Sequence, residues 1–196
     1  SSMVAGLPQL ILGGLVVQTS GVMYSRPLFE ACLSRGKAYR TVEFMACSLS
    51  RAQRVSGCGD ACFHAAAPKL TDAFDPTMYA KVSDDTRALD ELTDSLSEAD
   101  SGGRLKLASQ KFYFAGLVAC IENLCLSPHG VSSIERSARM RDMLEAPRTR
   151  QMVAALKDNH RGVGLLFGPI ASANPARCVM CTHLAAFLNR TGAKTA

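Results

Sequence analysis

Two short segments carry thiols and imidazoles at spacings suited to a metal ion. Cys178-Val179-Met180-Cys181-Thr182-His183 reads C-x-x-C-x-H, and Cys58-Gly59-Asp60-Ala61-Cys62-Phe63-His64 reads C-x-x-x-C-x-H. A C-x-x-C turn lets two thiolates converge on one cation while nearby backbone N–H groups stabilise the sulfur charge. Zinc takes four N or S donors in a tetrahedron. Each segment offers two or three, so a closed site needs help from elsewhere. Two arrangements are open. In one, Cys178 and Cys181 join Cys58 or Cys62 and one histidine. In the other, Cys120, Cys125 or His129 completes the set. The two segments lie over one hundred residues apart, so tertiary folding must assemble the site. Zn2+ is the expected cofactor, with Cys178, Cys181, His183, Cys58, Cys62 and His64 as its candidate ligands. The same thiols also admit two other readings, as inert buried cysteines or as a redox or disulfide pair.

The eight cysteines are even in number, which invites a disulfide framework. Three features weigh against one. A chain of 196 residues is well above the size that needs covalent staples. No basic stretch followed by a small-residue cleavage pattern marks a signal peptide. Cys120 and Cys125 fall inside an expected core helix, where cysteine behaves as a small apolar residue. His129 and His160 sit at an expected helix end and turn, where a surface or capping role is the ordinary reading.

Catalytic signatures are missing. The sequence contains no G-x-x-x-x-G-K-S/T phosphate loop, no H-E-x-x-H and no G-x-S-x-G, and Gly162-Val163-Gly164 lacks the third glycine of a dinucleotide fingerprint. The chain is therefore read as a non-enzyme. Charge is the second lead. Net charge is +5, yet residues 71–100 hold nine acidic residues against Lys81 and Arg87, a local net of −7, leaving +12 for the rest. Such asymmetry steers acidic partners or nucleic acid, although charge runs are usually solvated faces. Arg136, Arg139, Arg148 and Arg150 are the candidates for contacting phosphates. Aromatic residues make up only 6% and tryptophan is absent, which weakens a base-stacking platform.

These residues must be positioned by a core that the composition can supply, with 47% hydrophobic and 20% charged residues. Met3–Val17 is apolar but shorter than the roughly 20 residues a membrane helix needs, so no membrane span is expected. It reads as a hairpin, Gln9–Leu12 and Leu15–Gln18 about a Gly13-Gly14 turn, the alternative being a buried helix. Tyr39–Leu49 fits either a strand or a helix. Ser83 is placed to cap a helix carrying Leu89, Leu92 and Leu96, which Ser101-Gly102-Gly103 stops. Leu105–Leu126 reads as the central core helix, with Leu107, Phe114, Leu117, Val118, Ile121, Leu124 and Cys125 on its apolar face. Ser132 and Glu135 match a capping box for a helix to about Glu145, and Pro147 then opens another to Lys157. Gly162–Pro169 reads as a short buried strand. A last helix follows the Cys178–Cys181 pair through Leu184, Phe187 and Leu188, and Gly192 caps its end. The expected fold is mainly α with a small β component (α+β), a single globular domain over 1–196. Its 3–55 portion is partly β with the N-terminal hairpin, and about five helices fill 83–192.

The segment from Cys178 to Ala186 resembles the C-x-x-C-then-helix pieces of zinc-containing DNA-packaging proteins of herpesviruses. The Ala-, Arg- and Cys-rich texture is similar to accessory proteins of such GC-rich viruses. The resemblance covers nine of 196 residues and supplies no functional residues of its own. It implies zinc and a viral setting with DNA nearby. The combined expectation is a soluble, intracellular (cytoplasmic or nuclear) assembly factor. It would be stabilised by zinc and bind a protein partner or its own copies. Nucleic-acid binding and thiol redox chemistry are the alternatives.

Overall fold

Among the described residues buried side chains recur every three to four positions, and that periodicity dictates helices. The computed structural model describes residues 3–12, 25–33, 41–52, 74–100, 102–126, 131–158 and 164–190. Within them run α1 (Met3–Leu12), α2 (Arg26–Leu33), α3 (Thr41–Arg51), α4 (Met78–Ser95), α5 (Arg104–Leu126), α6 (Ser133–Glu145), α7 (Pro147–Leu156), α8 (Phe167–Ala171) and α9 (Pro175–Arg190), with a 3-10 turn at Ser97–Ala99. No strand occurs among the described residues, so the mixed α+β expectation is corrected to an all-helical fold.

Each supposed β element fails for a readable reason. Among the described side chains of α1 the buried residues are Leu7, Pro8 and Ile11, and Gln9 and Leu12 are exposed; a strand would alternate. Pro8 lies inside this helix. Gly13-Gly14 and Leu15–Gln18 fall outside the described residues. In α3 the buried set is Met45, Ser48 and Leu49, again a helical face. Of the expected strand at 162–169, Gly164 has φ +86°, Leu165 is 51% exposed, and Phe167 already opens α8. Pro169 is the third residue of α8, in the first turn, where a missing N–H breaks no intrahelical bond.

Helix starts are set by side-chain caps. The Ser132 hydroxyl accepts from the Glu135 N–H at 3.2 Å, as the capping-box pattern requires, and Pro147 opens α7. α4 begins five residues ahead of Ser83. The Asp75 carboxylate takes the Thr77 N–H at 2.8 Å and its hydroxyl at 2.7 Å, an Asx turn that launches the helix upstream. Its end is followed by Gly102 and Gly103, at φ +124° and +65°, a backbone that glycine adopts without a Cβ penalty. α9 starts at Pro175, ahead of the cysteine pair that had been expected to precede it. Asn174 caps it by accepting from the Arg177 N–H at 3.0 Å.

The chain divides into two compact units, Ser1–Ala67 with Ser83–Phe112, and Pro68–Val82 with Tyr113–Ala196. α4 and α5 contribute residues to both. The first unit buries Leu7 and Ile11 of α1, Met45 and Leu49 of α3, Ala88, Leu89 and Leu92 of α4, and Leu105 and Ala108 of α5 in one cluster. Each large aliphatic side chain so buried contributes roughly 1.5–3 kcal/mol against conformational entropy. In the second unit α6 packs on α7 and α9, and α8 packs on α7 and α9. Its buried residues include Tyr113, Leu117, Ile121, Met140, Leu144, Met152, Leu156, Ile170 and Cys178.

Candidate functional site

The C-terminal cysteine pair sits within α9. Cys178 is fully buried and Cys181 half-buried one turn further on, while His183 is exposed. On a regular helix two residues rotate by about 200°, so the His183 imidazole leaves α9 on the side away from Cys181. The three candidates therefore do not face one point. Cys58, Cys62 and His64 lie outside the described residues, as do His129 and His160. Among the described residues no group of three or more His, Cys, Asp or Glu side chains is placed to hold a metal ion, and no disulfide joins Cys32, Cys47, Cys120, Cys125, Cys178 and Cys181.

Folding does bring another sulfur towards the pair. Burial pushes the Cys178 thiol up to about 11, with further contributions from Cys181 and from Cys125 in the last turn of α5. The Cys125 thiol is also raised by burial, offset by the Arg136 guanidinium and by hydrogen bonding with Thr182. The buried Arg136 Nε has no hydrogen-bond partner.

A cleft of about 250 Å³ opens beside the start of α4, between Asp75, Tyr79, Cys120, Asn123, Arg139 and Asp142 among others. Its polar groups are largely spent on the fold. Asn123 accepts from the Asp75 N–H at 3.0 Å and donates to the Asp75 carbonyl at 2.8 Å. Lys81 and Thr77 hold the Asp75 carboxyl down to about 2. Burial lifts the Cys120 thiol to about 12. The arrangement clamps the approach to α4 onto α5.

Of the four arginines assigned to phosphates, Arg139 bonds the Glu135 carboxylate at 2.8 Å and lies over the Phe74 ring, 5.6 Å from its centroid. Arg148 lies over Tyr113 at 5.0 Å. Arg136 faces Cys125, and Arg150 is exposed on α7. Two of the four guanidinium groups are committed to aromatic faces within the chain.

A feature that the sequence reading did not single out stands out on α9. Met180, Leu184 and Phe187 are 63%, 47% and 62% exposed, spaced four and then three residues apart, while Cys178 and Thr182 on the other face are buried. The 4-3 spacing was the available signal; the sequence reading placed Leu184 and Phe187 on the last helix without assigning them a face. Comparison of the chain with protein-family models, with curated proteins and with solved structures finds no match.

Proposed function

We propose that this chain is a non-catalytic protein-interaction factor that docks a protein partner on the outward face of α9. The observation that carries the reading is the ridge of Met180, Leu184 and Phe187. Large apolar side chains aligned on an exposed helix face mark contact surfaces, and 4-3 spacing is the seam that a second helix packs against. A photo-crosslinking amino acid at position 184 tests it in the full chain. The expected result is adducts of discrete mass that disappear with Met180→Ser/Phe187→Ser and do not form from a crosslinker at exposed Glu145. Adducts indifferent to those substitutions, or none at all, overturn the reading.

A structural zinc ion is a second component of the proposal. The electrostatic influence of both Cys125 and Cys181 on the buried Cys178 favours it, because sulfur-rich neighbourhoods suit zinc. Remaining donors would come from the segments bearing His129 or Cys58, Cys62 and His64. Elemental analysis of the purified chain, with Cys178→Ser/Cys181→Ser as control, is expected to find one zinc that the control lacks. A metal-free chain that keeps its fold overturns this component.

A further inference from the structure

We infer that the cleft beside the start of α4 is a binding site for a small aromatic amine, whose ammonium group is held by Asp142. Every described residue of its lining belongs to the second unit. The lining is graded in depth. Cys120, Leu124 and Met143 are buried, Met78 and Tyr79 half-buried, and Asp142 exposed. A ligand entering there meets apolar atoms deep in the cleft and a carboxylate at the mouth. The volume of about 250 Å³ falls just short of the roughly 300–1,000 Å³ that encloses drug-sized ligands. A single ring with a short arm is the matching size. Thioether sulfurs make favourable contacts with ring edges, so Met78 and Met143 suit an aromatic ring.

Charge decides the arm. Lys81 meets the Asp75 carboxylate at 2.7 Å. Arg139 donates its Nε and Nη2 to Glu135 at 3.0 and 2.8 Å and gives its face to Phe74. Asn123 is occupied by the Asp75 backbone, and the Tyr79 hydroxyl meets that of Tyr113 at 3.4 Å. The other two charged side chains of the lining are thus each neutralised by a partner. Asp142 takes part in no hydrogen bond or ion pair among the described residues. The uncompensated charge in the cleft is one carboxylate, and complementarity calls for a cation. An acid would meet that carboxylate and find only a guanidinium already engaged. A sugar or a nucleoside needs several unpaired donors and acceptors to fix it, which this lining lacks.

The probe is phenethylamine, compared with phenethyl alcohol and phenylacetate, which keep the ring and change the charge. Saturation-transfer NMR on the full chain reads binding. Phenethylamine is expected to bind with a dissociation constant on the order of 1 mM, the scale for a ligand of this size. The alcohol is expected to bind about fivefold more weakly, the upper range for one exposed ion pair, and phenylacetate more weakly still. Asp142→Asn should bring the amine to the level of the alcohol and leave the alcohol unchanged. Ala80→Trp, at an exposed position of the lining, should fill the cleft and abolish binding of both. Amine binding that survives Ala80→Trp places the site elsewhere and overturns the inference. So does equal binding of the three probes, indifference of the amine to Asp142→Asn, or no saturation transfer to any of them. Should Ala80→Trp fail to fold, the methyl resonances of Met78 and Met143 in the natural chain take its place; amine that leaves both unmoved overturns the inference as well.

Discussion

Gly116 of α5 meets Val82 of α4 so closely that one methyl group should reverse the sign of a helix-stabilising substitution. An alanine Cβ there would stand 2.6 Å from Val82 Cγ1 and 3.3 Å from Cγ2. Val82 is β-branched and stiff at χ1 within a helix, so it cannot swing aside cheaply. On propensity alone Gly116→Ala would stabilise by about 1 kcal/mol. Overpacking a filled contact costs about 1–3 kcal/mol. The net expectation is destabilisation of up to about 2 kcal/mol. In a Val82→Ala background the obstruction is gone and the propensity gain is left, so Gly116→Ala should there stabilise by up to about 1 kcal/mol. Urea denaturation of the four proteins gives the cycle, with a shared slope confirming that stability alone has changed. If Gly116→Ala stabilises the protein with Val82 in place, or shifts both backgrounds equally, the close approach of α4 and α5 is wrong.

Three further outcomes follow from single polar groups. Thr149 is fully buried, donates to the Met143 carbonyl at 2.7 Å and meets the Tyr113 hydroxyl at 2.9 Å; Thr149→Val should cost about 1–3 kcal/mol, and Tyr113→Phe should cost less in that background than alone. Ser132→Ala removes the α6 cap and should cost about 1 kcal/mol, whereas Ser132→Asp should keep the midpoint, both read by thermal denaturation. Asp75 titrates at about 2 because Lys81 and Thr77 hold its ionised form. A carboxyl depressed in the folded state adds stability above its ordinary value of 3.8 and loses it as the pH falls towards about 2. The stability gap between the natural chain and Asp75→Asn should therefore narrow across that window, and a gap constant with pH counts against the Asp75 network.

Legibility along the chain followed local chemistry. α6 and α7 could be read to within a residue because Ser132, Glu135 and Pro147 act through neighbours three or four positions away, and α5 because it is long and densely apolar. α1 and α3 could not. A short run such as Gln9–Leu12 is apolar enough for either a strand or a buried helix, and only the partners of Leu7 and Ile11, from α3, α4 and α5, decide which. The two adjacent glycines read as a turn, Gly13 and Gly14, lie outside the described residues. The start of α4 was misplaced because Asp75 acts as a turn former three residues ahead of the helix, so Ser83 falls in its interior.

The cysteine pair shows why a ligand pattern depends on the backbone beneath it. In a loop, C-x-x-C-x-H can fold three donors onto one ion. In a continuous helix, positions three apart are neighbours while a residue two further on turns away, so Cys178 and Cys181 remain close and His183 joins the surface. What comes towards the sulfurs is Cys125, from an element more than fifty residues earlier, through packing that no local spacing announces. The same rotation that withdraws His183 from the thiols places it beside Met180 and Leu184. The segment first read as a chelate thus divides into a buried face with Cys178 and Thr182 and an exposed face with Met180, Leu184 and Phe187. On the docking reading proposed above, the buried face supports the backbone of the ridge, so Cys178→Ala, which alters no ridge residue, is expected to weaken the ridge-dependent crosslinking at position 184; crosslinking unchanged in the folded variant counts against that support.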